Sequence, residues 1–170
     1  MKYLICIKPN KKLIDLILEQ EHIKIPQSGI HNTLATIYMN AKYEAALIKN
    51  LSKINFNPFE IKTTGFEKLD KNTLALKISS SKELLKLHQN IVSIVNKYAH
   101  ENFKEIKQKY YLDKYNPHLR IAEANSLFDK ESKILLNNKT IITEYILMKG
   151  NETNREIIKT FYSKKTVFKK

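Results

Sequence analysis

Ile30-His31-Asn32-Thr33-Leu34 and Pro117-His118-Leu119-Arg120-Ile121 are the two strings on which the reading of this sequence turns. Each opens a short apolar or β-branched segment behind turn residues, so each reads as the start of a strand. The first runs from Ile30 to Tyr38 after the cluster Pro26-Gln27-Ser28-Gly29, and the second from His118 to Ala122 behind Pro117. Side chains two apart on a strand stand on the same face. His31 is therefore expected beside Thr33 and Ala35, with Asn32, Leu34 and Thr36 opposite, and His118 beside Arg120. Each string offers an imidazole next to a hydrogen-bond donor, a hydroxyl in one and a guanidinium in the other.

Working outward, Lys2 to Lys8 alternates as a strand and is broken by Pro9-Asn10. Leu13, Ile14, Leu16, Ile17 and Leu18 follow at helical spacing up to about Gln20. A helix over roughly 41 to 54 and a strand over Phe59 to Thr64 complete the first half. The order then restarts. Thr73 to Ile78 reads as a strand, Ser79-Ser80-Ser81 caps a helix from about Lys82 to Ala99, and the His118 strand comes next. A short helix around Asp129 to Leu136 and strands over Thr140 to Met148 and Glu156 to Tyr162 close the chain. Each half reads β-α-β-α-β, and the histidines fall near the start of matching strands. Residues 1–162 are expected to form one domain of two related lobes, whose strands can interleave, with 163–170 a basic tail.

Composition removes several classes. The chain has 170 residues, 42% of them hydrophobic, enough for a working core and too many for a wholly disordered chain. No apolar run approaches the ~20 residues of a membrane span. Tyr3 to Ile7 is cut off by Lys8 and Pro9, too short for a signal-peptide core. Cys6 is the single cysteine, which leaves no disulfide framework and no zinc site built on cysteine pairs. Three glycines cannot supply a dinucleotide-binding or Walker phosphate loop. The expectation is a soluble, cytoplasmic monomer with no membrane partner and no cofactor.

The formal charge is +13. Such a surplus attracts polyanions, nucleic acid first. Only Arg120 and Arg155 are arginines, however, and the abundance of Lys, Ile and Asn is also what an AT-rich coding bias produces. Charge alone therefore does not establish a nucleic-acid partner, and it directs attention to the two arginines.

Two histidines, each with a donor beside it, suit in-line attack on a phosphodiester. One imidazole takes the proton of the attacking hydroxyl or water, the other protonates the leaving oxygen, and the donors hold the non-bridging oxygens. Imidazole titrates near neutrality, where both protonation states are accessible. No His/Asp/Glu set has metal-ligand spacing, so no metal is expected.

At these residues the sequence resembles the two-histidine (2H) phosphoesterase superfamily, the LigT-like or RNA 2',3'-cyclic phosphodiesterase proteins. His31-Asn32-Thr33-Leu34 fits the family's His-x-Thr/Ser-apolar motif, and Asn116-Pro117-His118-Leu119 fits the approach to its second motif. The resemblance implies an α+β fold, bilobal and pseudo-twofold, with two mostly antiparallel sheets lining a central cleft and helices outside. It also implies a metal-independent phosphodiesterase on RNA ends, opening a 2',3'-cyclic phosphate to a 2'-phosphate, with 2'-5' ligation as the reverse reaction. His31 and His118 would be the acid/base pair and Thr33 a phosphate-binding hydroxyl. Arg120 stands where the family carries Thr or Ser, and it either binds phosphate in their place or fills the pocket and shuts down or redirects catalysis. The alternatives are a phosphodiesterase of 2'-5' oligoadenylate or of a small cyclic nucleotide, and a non-catalytic RNA-binding relative.

Secondary features are weaker. Lys107 to Tyr115 interleaves lysines and tyrosines before His118, and Tyr115, nearest the motif, is a candidate for stacking a base. The other reading is a tyrosine wedge between lobes. His88 falls within a helix, His100 near its end and His22 in a polar connector, with no chemistry assigned.

Overall fold

The computed structural model describes residues 1–20, 29–70, 73–100, 114–123, 130–151 and 153–164. Features noted above that lie partly or wholly outside that set are His22, the turn cluster as far as residue 28, the basic aromatic run as far as residue 113, Asp129, and the basic tail from residue 165.

Helices begin where the capping residues stand. Asn10 accepts from the Leu13 amide at 2.9 Å and opens α1 (Lys11–Leu18). Ser81 does the same for Leu84 at 3.1 Å and opens α3 (Lys82–Val95). These bonds satisfy amides that the first helical turn leaves without partners. Between them, a 3-10 turn at Ala41–Tyr43 leads into α2 (Glu44–Leu51). On α3 the buried stripe is Leu84, Leu87, His88, Ile91, Val92 and Val95. Each large aliphatic residue there contributes about 1.5–3 kcal/mol of transfer free energy.

Among the described residues, eight strands form two antiparallel sheets. They are β1 (Lys2–Ile7), β2 (Asn32–Tyr38), β3 (Phe59–Asp70), β4 (Thr73–Ile78), β5 (His118–Glu123), β6 (Lys139–Ile142), β7 (Glu144–Lys149) and β8 (Glu156–Tyr162). The orders are β2-β1-β7-β8 and β5-β4-β3-β6. This is the α+β, two-lobed architecture expected, but the lobes are not the two halves of the chain. The second sheet takes β3 from the first half, and the first sheet takes β7 and β8 from the end. β2 and β5, the strands that follow the two histidine motifs, are each the outer strand of their sheet.

Two local expectations are corrected, and a third is refined. Thr140 to Met148 is not one strand: β6 pairs with β3, β7 pairs with β1, and the chain changes sheets at Thr143. The hydrophobic pattern runs on through the crossing without Gly or Pro, so nothing in the sequence marks it. The short helix expected around Asp129 to Leu136 is a 3-10 helix over Lys130–Leu135. Finally, Ala35 does not share a face with Thr33. The pairing passes from Cys6↔Thr33 to Ile5↔Ala35, so Leu34 is an extra residue and the alternation inverts after it. Thr33 and Thr36 consequently lie on one side with Cys6 and Leu4, and Ala35 turns into the core.

One continuous core joins the sheets to the helices, with Tyr3, Ile5, Ile7, Leu76, Leu87, Ile91 and Leu119 fully buried in it. A second, small cluster of Leu4, Cys6, Ile146 and Met148 occupies the opposite face of the first sheet. Among the described residues no helix is long and apolar enough to cross a membrane.

Candidate active site

His31 immediately precedes β2 and His118 is the first residue of β5. Their imidazoles are anchored in the same way. His31 Nδ1 lies 3.0 Å from the Gly29 carbonyl, and His118 Nδ1 lies 2.7 Å from the Asn116 carbonyl. A carbonyl only accepts, so Nδ1 carries the proton in both rings and Nε2 is left as the nitrogen that exchanges one. Gly29 can present its carbonyl because it sits at φ 72°, in the left-handed region that a side chain resists.

Asn32 binds the two motifs together. Its Nδ2 donates to the His118 carbonyl at 3.0 Å, and its Oδ1 accepts from the Tyr115 hydroxyl at 2.6 Å. The Tyr115 ring stacks on His88, with centroids 3.8 Å apart and planes 7° from parallel. His88 Nδ1 in turn donates to the Leu34 carbonyl at 2.8 Å, the residue that the β1–β2 register skips. A chain of contacts thus runs from α3 through Tyr115 and Asn32 to the backbone of His118. Tyr115 is a strut in this arrangement: its hydroxyl is taken and a ring face is covered by His88.

The two histidines sit in different surroundings. His31 is 8% exposed, and His118 is half-buried. Burial lowers the pKa of His31 to about 4, and Arg155, Lys8 and Arg120 push the same way against the Gly29 hydrogen bond. The ring is neutral at pH 7 in the free protein. Arg120 bears on His31 although the two belong to different sheets, so the second motif's arginine reaches the first motif's histidine. Thr33 and Arg120 are both half-buried. Leu119 and Ile121, the neighbours of Arg120, are fully buried in the core.

Around His118 the second sheet is polar. Lys77 lies opposite His118 in the register and 3.8 Å from Glu67, whose carboxylate also accepts from Asn116 Nδ2 at 2.8 Å. Glu67 is thereby engaged by Lys77 and by the residue whose carbonyl holds the histidine. No group of three or more His, Cys, Asp or Glu suited to a metal ion exists among the described residues. A cavity of about 330 Å³ lies elsewhere, between Phe56, Asn57 and the start of α3, with Lys82, Lys86 and Lys164 on its walls. It contains neither histidine.

Asn32, Gly29, His88 and Arg155 went unassigned in the sequence. His88 had a signal, since it lies in register with Leu84 and Ile91 on the buried stripe of its helix. Asn32 was a polar residue on the core-facing side of a strand. Such a residue needs partners, but a sequence does not say which.

At β2 and β5, outer strands of different sheets that lie in contact, each motif holds a histidine through Nδ1, as in the two-histidine phosphoesterases. The family model described as the 2'-5' RNA ligase superfamily matches residues 18–134, a span that includes both histidines, and the chain belongs to that family. Among solved structures, E. coli LigT complexed with 3'-AMP superposes with a TM-score of 0.68 at 15% identity, covering 95% of this chain and 97% of that one. E. coli LigT complexed with NADP+ gives 0.68 at 14% identity, over 95% and 96%. The Thermus thermophilus protein TT0787 gives 0.69 at 11% identity, over 95% and 97%. No curated protein matches the sequence.

Proposed function

We propose that the protein is a metal-independent phosphodiesterase that opens 2',3'-cyclic phosphates at RNA ends to leave 2'-phosphates. The observation that carries this reading is the matched Nδ1 anchoring, which presents two Nε2 atoms of the same tautomer from two facing motifs. His31, held neutral by burial and neighbouring cations, takes a proton from water as its oxygen attacks phosphorus. His118, carrying a second proton on Nε2, donates it to the leaving 3'-oxygen, so the P–O3' bond breaks as the new P–O bond forms. Thr33 and Arg120 hold the non-bridging oxygens, the guanidinium adding full charge to what a hydroxyl would supply. An anion seated among the cations near His31 offsets them and raises the ring's affinity for the incoming proton.

The nucleotides held by the LigT structures support a nucleotide or RNA occupant here. The test is an RNA oligonucleotide ending in a 2',3'-cyclic phosphate, incubated in EDTA with wild type, His31→Ala and His118→Ala. Conversion to a monophosphate end by wild type alone is expected. Tight binding without conversion would turn the reading to a non-catalytic RNA-binding relative, with Arg120 the cause. Conversion only of a 2'-5' oligoadenylate or a free cyclic nucleotide would move the substrate class.

A further inference from the structure

Arg155 is the only arginine besides Arg120, and the fold brings it to the same sheet face as His31. In the β7–β8 register Met148 faces Ile157, so Ile157 lies on the Met148 side, and Arg155 immediately precedes β8 with its charge bearing on Cys6 and His31 of that face. Met148 faces Leu4, Ile146 faces Cys6, and Cys6 faces Thr33. From one edge of the sheet to the other, a single face therefore carries His31 and Thr33, then Leu4 and Cys6, then Ile146 and Met148, then Arg155. The four middle residues are the small apolar cluster, which forms a floor with His31 and Arg155 at its margins. Lys8 follows Ile7, whose partner is Asn32, so Lys8 stands beside His31 on the same side as Cys6.

Arg155 is half-buried, and its Nε is buried without a hydrogen-bond partner among the described residues. A buried guanidinium N–H without an acceptor is costly unless a ligand completes it. Neither Arg155 nor Lys8 has an ion-pair partner among the described residues, where the paired lysines are Lys77, Lys139 and Lys149. The charge of Arg155 is felt at both Cys6 and His31. The charged groups that bear on His31 are Arg155, Lys8 and Arg120, all cations. One cyclic phosphate brings a single negative charge to these three.

We infer that Arg155 forms a second anion subsite at the margin of the floor away from His31, and that the substrate carries a second phosphate besides the one the histidines act on. This rests on the proposed function for the first phosphate. The second is either a 5'-phosphate on the same nucleotide or the phosphodiester linking it to the next. A guanidinium suits either through paired N–H donors.

The test compares kcat/KM on three substrates: adenosine 2',3'-cyclic phosphate, its 5'-phosphorylated form, and the dinucleotide ApA ending in a 2',3'-cyclic phosphate. Wild type is expected to favour one of the two doubly phosphorylated forms by about tenfold or more over the first, and which one it favours identifies the source. Arg155→Met is expected to bring that ratio to within about twofold of unity, and Arg155→Lys to keep part of it. A wild-type ratio near unity, or the same ratio in Arg155→Met, overturns the subsite. If wild type turns over none of the three, the proposed function fails, and calorimetric binding then decides the subsite alone. A loss in Arg155→Met of the preference for adenosine 2',5'-bisphosphate over adenosine 2'-monophosphate supports it, and an unchanged preference overturns it. Thermal unfolding of both variants separates these effects from a loss of fold.

Discussion

The side-chain amide of Asn32 grips the main-chain carbonyl of His118 at 3.0 Å, so the residue next to one histidine holds the backbone of the other. The separation of the two motifs is thereby set by a hydrogen bond between lobes, and not only by the packing of two sheets.

Asn32 is 1% exposed and both ends of its amide are used. Asn32→Ala leaves the His118 carbonyl and the Tyr115 hydroxyl without partners, at a cost of about 2–3 kcal/mol. Urea unfolding should show that loss. Asn32→Asp keeps the acceptor for Tyr115 but loses the donor to His118. Its kcat should fall about tenfold or more with a smaller change in KM, as expected when reacting groups are misplaced. Unchanged kcat in Asn32→Asp would separate the inter-lobe bond from catalysis.

The lowered pKa of His31 has a sign. In the unfolded chain the ring takes up a proton near its ordinary pKa of about 6.5, while the folded protein refuses it until about pH 4. Stability from this group is complete above the unfolded value and is lost as pH falls from there towards 4. By pH 5 the loss is about 2 kcal/mol relative to pH 7. His31→Asn should be less sensitive to acid by that difference, read from urea midpoints at the two pH values. Equal acid sensitivity in wild type and variant would place the histidine in water. The same ring predicts that the acidic limb of kcat/KM lies well below pH 6, since that profile reports the free enzyme.

Gly29→Ala tests the carbonyl that fixes the His31 tautomer. The added Cβ meets nothing within 4 Å, so the penalty is only that of φ 72°, about 1–2 kcal/mol. Relaxation of the backbone turns the carbonyl away from Nδ1. A fall in kcat of about tenfold is expected, with the fold retained. Wild-type kcat would show that the ring needs no such anchor.

Arg120 is tested by Arg120→Ala, Arg120→Lys and Arg120→Thr. Loss of a charge-assisted phosphate contact worth about 1.5–3 kcal/mol lowers kcat/KM roughly 10–100-fold in the alanine variant. Lysine recovers part of this as a point charge. Threonine recreates the residue type that the resemblance led one to expect. If it raises kcat above wild type, the guanidinium is an impediment to turnover rather than a substitute.

The paired histidines and the two-lobed α+β fold were legible because each rests on a local signal. A histidine and a donor two apart need only strand alternation, and Ser81 and Asn10 announce helix starts by type. What stayed hidden depends on partners distant in sequence. The extra residue at Leu34 inverts a face without any glycine or proline to mark it. Asn32 looks like a spacer between His31 and Thr33 until the lobe that brings His118 is in place. Arg155 stood out only as a rare residue, and its relation to His31 required the order β2-β1-β7-β8.

The change of sheet at Thr143 bears on how the molecule is made. On a ribosome the second sheet has all its strands, β3 to β6, by residue 142, while β1 and β2 still lack the two strands that complete theirs. β1 must wait for β7, a closure spanning most of the chain, and such long-range pairings are slow to form. The His118 lobe is therefore able to order early, whereas the floor beneath His31 joins Leu4 and Cys6 of β1 to Ile146 and Met148 of β7 and waits for that pairing. A nascent chain holds both histidines before it holds β7 and β8, so the sheet that carries the His31 motif is complete only once those two strands have emerged.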